Sequence, residues 1–168
     1  MCKSIAFLLI TTVWVLQAQT VDVGRYGAKG DGRAKDTRAI QQAIDAVSHD
    51  GGEVVIPAGR YLSGTIHLRS NLTVRLSAGA VLVFSPEEAD FDEKEVLPFR
   101  SVSDDETTYF RYALIAGENV HDVAIVGEGT IDGNRTKRGG PKPIALKTCE
   151  RVTIRGIHGR FILGSAPW

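Results

Sequence analysis

A chain of 168 residues is long enough for one domain with a sizeable core. Its 20 Lys and Arg balance 20 Asp and Glu, so net charge argues neither for nor against nucleic acid, and no nucleic-acid partner is expected. The 18 Gly fall mostly in short turn-like clusters between β-branched runs, a pattern of many short strands with tight turns, and nothing after residue 18 is apolar enough to span a membrane.

The chain opens with Lys3, an apolar run over 5–16 and a small residue, Ala18. That order predicts a secretory signal peptide over 1–18 and a secreted or periplasmic product. The run is shorter than the roughly 20 residues of a spanning helix. A buried N-terminal strand or an uncleaved anchor is the competing reading. Cys2 sits at the wrong end of the run for lipid attachment. Cleavage leaves Cys149 alone, so no intramolecular disulfide is expected, and core burial and hydrogen-bond ladders must hold the fold.

A short strand over 21–27 runs into glycine, and residues 28–32 read as a polar loop. Ala39, Ile40, Ala43, Ile44 and Val47 then recur at three- and four-residue spacing, predicting an amphipathic helix over 36–48 with Asp36 as its N-cap and Gly51-Gly52 beyond its end. From Glu53 onward the text is strands and turns: 53–56, 65–68, 72–76 and 80–84. Leu72, Val74 and Leu76 alternate with Thr73 and Arg75, which predicts one buried and one wet face.

A repeat follows. Residues 122–127 (DVAIVG) match 151–156 (RVTIRG) at an offset of 29, and 71–74 (NLTV) form a weaker copy 51 residues earlier, read as about two periods. Such periods mark stacked repeats. With strands as the repeating unit, a parallel β-helix is expected over a leucine-rich or ankyrin array. A β-sandwich would need two-residue hairpin turns, which are sparse. Two segments break the rhythm: 85–111, with acidic clusters at 90–93 and 104–106, and 134–155, with seven basic residues against one acid, Glu150.

The acidic clusters read as a solvated loop rather than as calcium ligands or catalytic acids. Asp31 and Asp36 read as turn and cap, since no Gly-Lys-Ser/Thr follows to make a phosphate loop. Asp132 reads as a turn former. His49, His67, His121 and His158 stand apart, without metal-ligand spacing, and His158 reads as surface in a stretch irregular relative to the repeat. The basic segment is the chemically suggestive one. Lys137, Arg138 and Lys142 are the candidate substrate-binding residues, placed to attract a polyanionic sugar, against a plain reading as a solvated turn.

Three stretches, 26–32 (YGAKGDG), 36–44 (DTRAIQQAI) and 55–61 (VIPAGRY), resemble the opening of the pectate-lyase-like β-helix superfamily. Within it, 63–72 (SGTIHLRSNL), 113–116 (ALIA) and 125–133 (IVGEGTIDG) resemble glycoside hydrolase family 28, the polygalacturonases. The resemblance covers nearly all of residues 19–168. It implies an all-β, right-handed parallel β-helix, a single-stranded solenoid capped by one N-terminal helix, with 19–168 as the N-terminal part of that domain. It also implies hydrolysis of α-1,4 galacturonosyl links in pectin with inversion, on aspartates, without metal or cofactor. The family's Asn-Thr-Asp-Gly, Gly-His-Gly and Arg-Ile-Lys motifs do not occur, the Asp-Asp pair at 104–105 belongs to the acidic loop, and the catalytic set is expected beyond Trp168. No catalytic residue is therefore assigned, and the chain alone is expected to be inactive and prone to aggregate at an uncapped rung. Other pectin or rhamnogalacturonan hydrolases or lyases, and non-catalytic glycan-binding β-helices, are the alternatives.

Overall fold

The computed structural model describes residues 19–47, 51–100, 102, 109, 111–135 and 139–160. The expected signal peptide over 1–18, Cys2 and His49 lie outside the described residues. The first winding holds β1 (Gln19–Asp22), a 3-10 turn (Val23–Tyr26), β2 (Asp31–Lys35) and α1 (Thr37–Val47). The second holds β3 (Gly52–Ile56), β4 (Gly59–Ser63) and β5 (Ile66–His67), and the third β6 (Leu72–Leu76), β7 (Ala80–Phe84) and, after a long loop, β8 (Ala113–Glu118). Then come β9 (His121–Gly127), β10 (Thr130–Asp132) and β11 (Lys142–Lys147), and last β12 (Glu150–Arg155) and β13 (His158–Arg160).

Consecutive strands never pair. Three sheets run β1-β3-β6-β9-β12, β2-β4-β7-β10-β13 and β5-β8-β11, and every pairing is parallel. This is a parallel β-helix, and it excludes the antiparallel sandwich. The three middle windings visit the first, second and third sheet in turn, and in the first winding α1 takes the place of a third-sheet strand.

The core is a set of aliphatic columns. Register stacks Val21, Val54, Val74, Ile125 and Ile154 in the first sheet. Val54 and Ile125 are fully buried, whereas Ile154 is 49% exposed, with a stacked neighbour on one side only among the described residues. Each buried aliphatic side chain contributes roughly 1.5–3 kcal/mol. The alternation read in β6 is present: Leu72, Val74 and Leu76 face in, and Arg75 faces out.

The 29-residue offset is one winding, pairing Val123 with Val152. The 51-residue offset is also one winding, because Leu72 pairs directly with Val123. The expectation of two periods fails since a β-helix needs only that strands return to register; the loop between β7 and β8 adds length without a winding. The loop read over 28–32 runs into β2, which pairs with β4 across a register shift. Residues 156–160 also keep the repeat: β13 pairs with β10, setting His158 against Thr130 on an exposed strand.

Helix α1 buries Ala39, Ile40, Ala43, Ile44 and Val47, the five positions its spacing marked, against β1, β3 and β5. Asp36 caps it only through its backbone, its carbonyl accepting from the Ile40 amide at 3.0 Å. Its buried carboxylate turns to the preceding loop and accepts from the amides of Lys29 at 2.7 Å and Gly30 at 3.1 Å. A loop that would otherwise leave two amides unpaired is thereby tied to the helix start. Asp31 forms the expected turn, accepting from the amides of Arg33 and Ala34.

Candidate functional site at the loop-bearing corner

The second and third sheets meet at a corner where two segments leave the stack, one between β7 and β8 and one between β10 and β11. The first is anchored at its start. Phe91 is buried with its ring 5.8 Å from Phe84 and 5.9 Å, edge-on, from Tyr112. The buried Thr65 hydroxyl donates to the Ala113 carbonyl at 2.7 Å and accepts from the Asp92 amide at 2.9 Å. Lys35 reaches Glu87 at 2.8 Å and Asp90 at 2.9 Å, and the Ser85 hydroxyl donates to Asp90. Burial pushes the Asp90 carboxyl up, but Ser85 and Lys35 outweigh it and hold it below the usual carboxylate range. Glu87, then Asp90, raise Lys35 above its usual value. The acidic cluster at 90–93 is therefore not simply solvated: Asp90 is held by Lys35, and Asp92 lies 3.3 Å from His67. The cluster at 104–106 lies outside the described residues.

A depression of about 300 Å³ opens between the two segments, lined by Ser85, Pro86, Phe91, Tyr112, Asn134 and Arg135 among others. The second segment starts at Asp132, whose carboxylate accepts from the Asn134 amide at 3.0 Å, the expected turn. Asn134 then donates through its side chain to the Phe84 carbonyl at 2.9 Å. Arg135 follows with φ 60° on the rim. Lys142, at the start of β11, pairs its amide with the Tyr112 carbonyl at 3.0 Å, and its ammonium donates to the Tyr109 carbonyl. Lys142 thus stitches the two segments together. Lys137 and Arg138 lie outside the described residues.

The rest of the basic segment is wound around the molecule rather than gathered. Lys147 sits on the third sheet 3.0 Å from Glu118, and Arg151 at the next corner clasps Asp122 at 2.7 and 2.8 Å. The acids that balance these bases come from the preceding winding, which a count along 134–155 does not see. His67 and Asp92, read in the sequence as an isolated histidine and a solvated acid, converge with Arg111, Glu118 and Lys147 on the outer face of the third sheet.

The family model described as rhamnogalacturonase A/epimerase, pectate lyase-like, matches residues 20–80, and the class the fold defines is the parallel β-helix. The exo-poly-alpha-D-galacturonosidase of Dickeya chrysanthemi is 34% identical over 133 residues, which are 77% of this chain and 22% of that protein. Alginate lyase 7 of Azotobacter vinelandii is 34% identical over 123 residues, 68% of this chain and 13% of that protein. The family 28 exopolygalacturonase of Yersinia enterocolitica superposes with a TM-score of 0.68 at 24% identity, over 85% of this chain and 34% of that one, and shares the fold. Within the class, the curated relatives it is similar to include polygalacturonases, the probable polygalacturonase of Vitis vinifera among them, 34% identical over 122 residues, 70% of this chain and 25% of that protein. This chain spans about a quarter or less of the length of the curated relatives it matches.

Proposed function

We propose that this chain serves a secreted or periplasmic hydrolase of the polygalacturonase type, which cleaves α-1,4 galacturonosyl links in pectin with inversion. The observation that carries the reading is the 34% identity to an exo-poly-alpha-D-galacturonosidase across 77% of the chain, on a parallel β-helix. Inverting hydrolysis uses one carboxylic acid to protonate the leaving oxygen and a second carboxylate to activate water. No residue of this chain is assigned either role. Its contribution is the scaffold and the basic segment 134–155, whose Lys137, Arg138 and Lys142 attract the uronate carboxylates. Residues 1–18 direct export.

The likeness to an alginate lyase supports a second reading, cleavage by elimination on the same fold. The product that the protein of the source locus forms from polygalacturonate separates them. New reducing ends without ultraviolet absorbance support hydrolysis, and an absorbing unsaturated product overturns it. Retention of pectate with neither product supports a binding module instead. A Lys137→Ala/Arg138→Ala variant is expected to lose salt-sensitive retention on pectate, and unchanged retention removes the basic segment from the reading.

A further inference from the structure

The first winding uses its acids and its bases in opposite ways. Residues 25–38 hold five bases, Arg25, Lys29, Arg33, Lys35 and Arg38, against two acids, Asp31 and Asp36. Both acids, and Asp22 just before them, turn their carboxylates to backbone amides. Asp22 accepts from Gly24 at 2.7 Å, Asp31 from Arg33 at 2.8 Å and Ala34 at 2.9 Å, and the buried Asp36 from Lys29 and Gly30. Of the five bases, only Lys35 has an ion pair among the described residues, with Glu87 and Asp90. Arg25, Lys29, Arg33 and Arg38 are exposed and have none, and Arg33 reaches Asp31 only through longer-range attraction. The sheets show the other pattern, with Arg75 matched by Glu53, Lys147 by Glu118 and Arg151 by Asp122.

The backbone that carries the four unmatched cations is fixed. The Gly27 amide donates to the Gly24 carbonyl at 3.1 Å, the Ala28 amide to Val23 at 3.3 Å and the Arg60 amide to Gly30 at 2.8 Å. Helix α1, whose first turn carries Arg38, packs on the 3-10 turn that carries Arg25. β1 and β2 are the outermost strands of their sheets. The cations therefore belong to the end of the stack that β1, β2 and α1 close, and the rigid backbone beneath them limits the ordering that a ligand must impose.

Exposed charges set out in this way select a ligand by the number of its charges. A small anion meets one or two of them, and a single exposed ion pair is worth little in water. A polymer with a carboxylate on every unit engages several at once, because the first contact raises the local concentration of the rest. Three of the four are arginines, whose planar fork takes a carboxylate through two parallel hydrogen bonds. The large exposed apolar residues, Val96, Phe99, Val102 and Ile154, lie on other windings, so this end offers no apolar anchor to a membrane.

We propose that the end of the solenoid closed by β1, β2 and α1 is an anchoring surface for a polyuronate chain, whose successive carboxylates pair with Arg25, Lys29, Arg33 and Arg38. This rests on the polyuronate reading above and adds to it a contact on the first winding, apart from segment 134–155. The polymer is then held at two places, and the gain grows with its length.

The test compares long polygalacturonate with trigalacturonate, using pectate-column retention in a salt gradient and calorimetric titration. The variant Arg25→Gln/Lys29→Gln/Arg33→Gln/Arg38→Gln is expected to elute at lower salt and to bind long polygalacturonate about tenfold more weakly, with its trigalacturonate affinity unchanged. Replacing the three arginines by lysine should keep most of the retention. In the wild-type protein, long polygalacturonate should protect Lys29 from acetylation, read by peptide mass spectrometry. Thermal melting checks the fold of each variant, and where the fourfold variant melts early the acetylation footprint decides alone. Unchanged retention in a folded variant, or Lys29 acetylation indifferent to polygalacturonate, overturns the surface and leaves the polyuronate reading standing. Equal binding of dextran sulfate or single-stranded DNA at the same charge concentration overturns the choice of partner. A wild-type protein that pectate does not retain overturns the polyuronate reading and this surface with it.

Discussion

Two corners of the same winding are built in opposite ways. Between the third and first sheets the chain turns through a stack of left-handed residues in register: Gly51, Asn71, Asp122 and Arg151, with φ between 51° and 78°. Hydrogen bonds join successive copies, from the Gly52 amide to the Asn71 carbonyl at 3.1 Å and from the Asn71 amide to the His121 carbonyl at 2.9 Å. Between the second and third sheets nothing fixes the length, and segments of very different size leave and return. The tight corner repeats a backbone conformation that few residues tolerate, so it tolerates no insertion. The loose corner carries its order in side chains, Phe91, Thr65 and Lys35, and is free to carry chemistry.

The difference can be broken at several points. The largest effect is expected in the stack that both corners serve. Ile125→Ala empties a fully buried position between Val74 and Ile154 in the aliphatic column and should cost about 3 kcal/mol. Chemical denaturation measures it, and a loss under 1 kcal/mol would mean that the column collapses around the gap. Next is the anchor of the loose corner. A Cβ on Gly64 would lie 1.8 Å from the Asp90 carbonyl oxygen, so Gly64→Ala should cost about 2 kcal/mol by displacing the loop backbone. Hydrogen exchange at the Thr65 and Asp92 amides should rise with it, and protection equal to wild type sinks the anchor.

At the tight corner the expected loss is smaller. Asn71→Val places a β-branched residue at φ 59° and should cost about 1–2 kcal/mol, whereas Asn71→Gly should be near neutral. Equal melting of the two variants would show that the left-handed stack carries no conformational preference. The smallest effect is electrostatic. Hydrogen bonds from Arg151 and then His121 hold the Asp122 carboxyl well below the usual range. A lowered carboxyl contributes stability that is complete above its unfolded value, near 3.8, and is lost as pH falls toward the folded one. Arg151→Met should bring the Asp122 titration, followed by NMR, back toward 3.8 and shrink the acid-side loss. A titration that does not move assigns the shift to something other than the clasp.

Much of the stack was legible in the sequence because it is periodic. The helix followed from apolar spacing, β6 from alternation, and one winding from the match between 122–127 and 151–156. What escaped lacked a local signal. Asp31 and Gly32, which open β2, read as loop because the strand character of DGRAK comes from pairing with β4 and not from propensity. The winding between β6 and β9 was miscounted because an inserted loop lengthens the sequence while leaving the register intact. The Asp36 carboxylate was read as a cap, yet it serves amides six and seven residues back. The third-sheet cluster gathers residues from 67 to 147, and only register brings them together. One signal was present: Glu118 and Lys147, like Asp122 and Arg151, stand 29 residues apart with opposite charge. Charge that reverses at the repeat period is the trace an inter-winding ion pair leaves in a sequence.

The Gln41 amide also gives the assembly a direction. β5 is the outermost strand of the third sheet, and its exposed rim would be a template for another chain. Gln41 occupies that rim by offering one acceptor and one donor to the two backbone groups of His67, as a neighbouring strand would. A side chain on a helix thus impersonates a rung. The third sheet is closed at His67 in a way that keeps its hydrogen-bond pattern complete, and one carboxamide group closes it.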